Sequence, residues 1–152
     1  MSVASSSAAL HARRVPASDL GLSVSDISPA AVSIVQSLQG NGFQAEMVGG
    51  CVRDLLLGGA PKDFDVVTNA TPEQIKKLFR RARVIGRRFQ LVHVRIGRDV
   101  IEVSTYRGSD TAHQEPRRGR AKKKTPPNNV FGCRDEDVLR RDFTINALYY
   151  DP

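Results

Sequence analysis

The segment Val48-Gly49-Gly50-Cys51-Val52-Arg53-Asp54, with Lys62-Asp63-Phe64-Asp65 after it, constrains this chain more than any other feature. The apolar run before the glycines reads as a strand and the residues after them as a short helix, so the pair predicts a tight strand-to-helix turn. Nine residues beyond Asp54, Asp63 and Asp65 stand two apart on a second strand. Side chains alternate along a strand, so both carboxylates take one face and Phe64 the other. Two such carboxylates repel each other unless a cation lies between them. Oxygen-only ligands suit Mg²⁺, which takes one or two carboxylates and completes its shell with water and phosphate oxygens. A helix N-terminus beside a carboxylate metal site is equipment for phosphoryl or nucleotidyl transfer.

The 152 residues fit one domain with a modest core. Net charge is +7 and the isoelectric point near 9.9, as in nucleic-acid-binding domains, although a generic basic surface gives the same sum. No window is apolar enough to span a bilayer, so a soluble protein without membrane contact is expected. Cys51 and Cys133 lie far apart and form no CxxC pair, which fits a reducing compartment and neither a zinc site nor a disulfide framework. Residues 1–25 are rich in Ser and Ala, with Arg13 and Arg14 and no acid before Asp19. A disordered cytoplasmic tail is expected there; an organelle transit peptide is the alternative.

Ser28-Pro29 reads as an N-cap and first helical position, with Ala31, Ile34, Val35 and Leu38 at helical spacing and Gly40 and Gly42 closing the helix. A first strand is expected over 43–48, a short helix over 51–57 and a second strand over 64–67. Thr71-Pro72-Glu73-Gln74 is a capping box opening a helix to about residue 81. Strands are expected over 83–85, 91–96 and 100–105, the last two joined at Gly97-Arg98-Asp99. A long polar loop over 108–130, a helix over 136–146 and a short closing strand over 147–150 complete the order. The fold class is mixed α/β (α+β), a small sheet of about five strands packed with helices.

Arg53 in the first turn of the expected helix adds a planar cation suited to phosphate oxygens, unless it is half of an Arg53–Asp54 surface pair. Glu102 faces away from Ile101 and Val103; it is a possible third carboxylate, or an acid on a solvent face. Arg140-Arg141-Asp142 sets two arginines and an acid beside an apolar helix, where they could hold a triphosphate or form an ion-paired helix end. Asn146 falls four residues after Asp142 on the expected helical face. Lys76-Lys77 through Arg80, Arg81, Arg83, Arg87 and Arg88 is interleaved with apolar residues, so that stretch is folded. Arg117 to Lys124, including Lys122, Lys123 and Lys124, has no apolar anchor and is suited to tracking an RNA backbone.

Together these motifs resemble those of the bacterial poly(A) polymerases and CCA-adding tRNA nucleotidyltransferases. The likeness runs from about Asp26 to Pro152, broken by the loop at 108–130. Within it, Arg83-Val84-Ile85-Gly86-Arg87-Arg88-Phe89-Gln90-Leu91-Val92-His93-Val94 is similar to the segment that marks poly(A) polymerases. The resemblance implies a nucleotidyltransferase-fold catalytic head over 26–152. Asp63 and Asp65 would hold two Mg²⁺ ions, and Gly49, Gly50, Arg53, Arg140 and Arg141 would hold ATP. Asp142 would be the third catalytic acid, with Glu102 competing for that role. Arg87, Arg88 and Lys122–Lys124 would touch RNA. The implied reaction is transfer of AMP from ATP to an RNA 3′-hydroxyl in a bacterial cytoplasm. The family's helical neck and body domains are not in these 152 residues, so the chain reads as an isolated head, a fragment or a truncated product. A CCA-adding enzyme and a catalytically silent RNA-binding fragment are the competing expectations.

Overall fold

The computed structural model describes residues 13–87, 89–108 and 131–152. Its centre is a six-stranded sheet in the order β3-β4-β5-β2-β1-β6. The strands are β1 (Ala45–Val48), β2 (Asp65–Thr68), β3 (Ala82–Ile85), β4 (Leu91–Ile96), β5 (Asp99–Thr105) and β6 (Tyr149–Tyr150). β2 and β5 run parallel and every other neighbouring pair is antiparallel. The sixth strand, Tyr149–Tyr150, is the short closing strand expected over 147–150, two residues long, and it brings the sheet to six strands where about five were expected.

One face of the sheet is covered by helices. The first, α1 (Pro29–Gly40), starts at Ser28, whose hydroxyl accepts from the Ala31 amide, and Pro29 occupies its first turn. Its stripe of Ala31, Ile34, Val35 and Leu38 is fully buried against Met47, Val66 and Val103. Next, α2 (Gly50–Leu56) lies on β1, and α3 (Pro72–Leu78) lies on β3 and β4. The capping box is formed: Thr71 Oγ1 accepts from the Gln74 amide, and Gln74 Oε1 accepts from the Thr71 amide. This helix stops at Leu78, three residues before the expected end.

The opposite face carries a small buried cluster of Val48, Val67 and Tyr106 and otherwise polar side chains; among the described residues it is crossed by α4 (Arg134–Leu139), the 3₁₀ turn Thr144–Asn146 and the link between them. The expected helix over 136–146 is therefore two pieces. Asp142 breaks it: its Oδ1 accepts from the Phe143 amide at 2.8 Å, supplying locally the partner a helix would have given. Upstream of α1, the stretch expected as a tail carries 3₁₀ turns at Ala17–Leu20 and Val24–Asp26, and Ala17 and Leu22 pack on the core. Apolar residues between the serines supply the anchorage that an overall Ser/Ala composition conceals. Residues 1–12, Arg88 and the loop from 109 to 130, with Lys122, Lys123 and Lys124, lie outside the described residues. Among the described residues no helix is long and apolar enough to cross a membrane.

Candidate active site

The polar face of the sheet is built by strand alternation. On β2, Val66 enters the helix-covered core while Asp65 and Val67 turn away; on β5, Ile101 and Val103 enter it while Glu102 and Ser104 turn away. Parallel pairing then sets Asp65 directly beside Glu102. Asp63 lies just ahead of β2 rather than within it, because the ladder with β5 begins at Asp65 and offers Asp63 no partner. Phe64 still packs on the core, and the charge of Asp63 acts on Asp65.

These carboxylates oppose one another. Desolvation in the cleft, then the charges of Glu102 and Asp63, raise the Asp65 pKa, and Arg141 partly offsets them. On its other side Glu102 lies 3.6 Å from His93 Nε2. A cleft of about 380 Å³ opens over the acids, lined by Asp65, Glu102, Ser104, Arg140, Arg141 and Asp142 among others.

The glycine turn flanks the acids. Gly49 has φ +79° and ψ −131°, a conformation that a residue with a side chain adopts only under strain. Its amide donates to Leu148 O at 3.0 Å, and an added Cβ would lie 3.6 Å from Arg141 Nη1. The turn therefore lies against the third motif. No side chain caps α2, so its first amides are left to backbone, water or an anion. Behind the turn, the Cys51 thiol donates to Val48 O, and burial raises its pKa, which makes it packing rather than a nucleophile.

Arginines join these parts. Arg53 donates through Nε to Asp54 Oδ1 (2.9 Å) and through Nη1 to Asn146 Oδ1 (3.1 Å), so the Arg53–Asp54 pair forms and α2 is tied to the 144–146 turn. Arg141 donates to Asp137 Oδ2 through Nε (3.2 Å) and Nη2 (3.0 Å), to Tyr149 Oη (3.1 Å) and to Asn146 O (3.1 Å). Burial alone would lower its pKa, but Tyr149 and Asp137 outweigh burial and raise it. Tyr149 Oη donates to Asp137 Oδ2 at 2.7 Å, and burial together with that carboxylate pushes the tyrosine up to about 12. Asp137, 5% exposed, also accepts from the Arg107 amide.

Sequence reasoning missed Asp137. Its only signal is the four-residue spacing to Arg141, which becomes meaningful once the helix is known to end between them. Asp142, expected to orient an arginine or to serve as third acid, lies exposed at the cleft mouth and bonds the Phe143 amide and Asn146. Arg140 donates to Gly108 O. The other end of α4 is fixed by the buried Glu46, which pairs with Arg134 and accepts from Tyr106 Oη. Arg87 is exposed on the turn after β3, away from the acids' own strands.

Among the described residues, no three Asp, Glu, His or Cys side chains are gathered closely enough to cage a metal by themselves. Asp65, repelled by both Glu102 and Asp63 through oxygen-only groups, suits a cation that takes most of its ligands from phosphate and water.

A family model of the Poly A polymerase head domain matches residues 45–152. The chain belongs to that family. Poly(A) polymerase I of Haemophilus influenzae is 48% identical over 141 residues, covering 91% of this chain and 31% of that protein. A CC-adding tRNA nucleotidyltransferase of Halalkalibacterium halodurans is 40% identical over 123 residues, covering 81% of this chain and 27% of that protein. In structure, the head domain is similar to the Bacillus stearothermophilus CCA-adding enzyme in complex with CTP, with TM-score 0.65, 32% identity and coverage of 82% and 28%. The chain thus spans less than a third of the length of these relatives.

Proposed function

We propose that this head domain transfers AMP from ATP to the 3′-hydroxyl of an RNA strand. The observation that carries the reading is the alignment of Asp65 with Glu102 on parallel strands, flanked by the glycine turn and Arg141. Gly49 and Gly50 bring the start of α2 to the triphosphate, and Arg53, Arg140 and Arg141 supply charge to it. Asp137 and Tyr149 hold Arg141 in one orientation, so it need not reorganise as charge develops on the phosphates. The 3′-oxygen attacks the α-phosphorus, the bond to the bridging oxygen breaks, and pyrophosphate leaves. Two Mg²⁺ ions, with Asp63 and Asp65 as ligands, would activate the hydroxyl and offset charge on the leaving pyrophosphate. Glu102 fits the role of third carboxylate better than Asp142, because it is in register with Asp65 while Asp142 serves the backbone break. The relatives named above are bacterial, and the reading sets the reaction in a bacterial cytoplasm.

The greater identity to a poly(A) polymerase than to a CC-adding enzyme favours ATP; likeness to a CTP-bound enzyme supports CTP as a second reading. Extension of an end-labelled RNA with Mg²⁺ and one nucleotide at a time separates them. A ladder with ATP alone is expected. Extension with CTP and none with ATP would replace this reading by the tRNA-repair one.

A further inference from the structure

A second basic feature of the polar face is independent of the arginines around the glycine turn. Arg80, Arg81, Arg83, His93 and Arg95 line a groove of about 640 Å³ at the β3 edge of the sheet. Antiparallel pairing sets Arg83 opposite His93, and Arg95 N donates to Arg81 O, so these side chains share the face that carries the acids. Ala82 and Val94, between them, are buried in the core. Among the described residues, none of the four arginines is ion-paired, whereas Arg53, Arg134 and Arg141 are each matched to a carboxylate. Clustered cations without internal partners repel one another and favour an external polyanion.

The pairing registers give the groove a direction. Arg83 pairs with His93, His93 with Glu102 and Glu102 with Asp65, forming one row across four strands. At about 4.8 Å per strand, the row spans roughly 14 Å, the reach of a few nucleotides. The glycine turn lies after β1, on the other side of the acids in the strand order. Attacking and leaving oxygens lie roughly in line in phosphoryl transfer, so acceptor and nucleotide should approach from opposite sides. We infer that this groove holds the sugar-phosphate backbone of the acceptor RNA, with Arg81, Arg83 and Arg95 on successive phosphates, and directs its 3′ end toward Asp65. The inference rests on the proposed transfer reaction for its choice of polyanion. Planar guanidinium groups favour bidentate contact with phosphate.

The test is the affinity of the chain for a short labelled single-stranded RNA, by fluorescence anisotropy over a KCl series. It compares wild type, the double variant Arg83→Ser with Arg95→Ser, and the charge-keeping pair Arg83→Lys with Arg95→Lys. The serine variant should bind RNA about tenfold more weakly or worse, with the salt slope reduced by about 1.4, or 0.7 for each lost phosphate contact. The lysine pair should keep that slope, and ATP affinity should not change in either. Unchanged RNA affinity and slope in the serine variant would overturn the proposal, as would an equal loss toward duplex DNA, which would mark a generic polyanion surface. Arginine-dependent RNA binding by a chain that never transfers AMP would instead remove the catalytic reading and leave the groove standing.

Discussion

Replacing Asp65 with asparagine is expected to abolish AMP transfer while raising the melting temperature of the metal-free protein. Both effects follow from the loss of one carboxylate. Parallel pairing fixes Asp65 beside Glu102, and Asp63 precedes it by two residues. The raised Asp65 pKa means that the folded protein binds this proton more tightly than the unfolded chain does. Stability is therefore lost as pH rises from the unfolded toward the folded value, and the ionised carboxylate destabilises the apo fold at neutral pH. Asparagine removes that charge and leaves the packing of Val66 and Val67 untouched. It also removes a carboxylate that we propose as a metal ligand, whose contribution to transition-state charge would be several kcal/mol, so transfer should fall about a thousandfold or more. Asp63→Asn should lower activity similarly. Wild-type turnover in either variant would remove that aspartate from the site; a lower apo melting temperature in Asp65→Asn would show that the acids are not held in repulsion.

Asp137→Ala is expected to be the most damaging single change to the fold around the cleft. The carboxylate is buried and receives two bonds from Arg141, one from Tyr149 and one from the Arg107 amide. Its removal leaves a half-buried guanidinium and a backbone amide without their acceptor. Loss of one partner from such a buried pair costs about 3–5 kcal/mol. A denaturant midpoint falling with unchanged slope would report it. Nucleotide affinity should fall as well, since Arg141 would lose the anchor that sets it beside Gly49. Arg141→Lys separates the two roles, because it keeps a charge beside the proposed triphosphate site but not the forked contact with Asp137. It should retain more stability than Asp137→Ala and still bind ATP poorly. An Asp137→Ala protein with wild-type midpoint and ATP affinity would contradict the anchoring role.

The parts of this site that were legible in the sequence are those fixed by neighbours in the chain. Ser28-Pro29, the Thr71–Gln74 box and the Gly97 turn each act within one helical or hairpin turn, and all three form where expected. The glycine pair likewise sits at a strand-to-helix turn, and Gly49 takes the positive φ that the tight connection demands. What the residue pattern did not disclose depends on pairing between distant segments. Nothing local says that β2 lies parallel to β5, so from the residues alone Glu102 is more readily a solvent-facing acid, and only the pairing reveals Asp65 beside it. Asp137 was hidden for the same reason, since three of its partners lie on β6, on Arg107 and beyond the break after α4. That break carries no Gly or Pro to announce it; a side-chain bond from Asp142 to its neighbour's amide is enough.

AMP transfer is read directly by following label from α-phosphate-labelled ATP into RNA in the presence of Mg²⁺, using matched strands that end in a 3′-hydroxyl or a 3′-deoxyribose. Label is expected only on the hydroxyl-ended strand, with one pyrophosphate released for each AMP joined. Label on the deoxy-ended strand or on the protein, or no incorporation into either strand, would contradict that transfer.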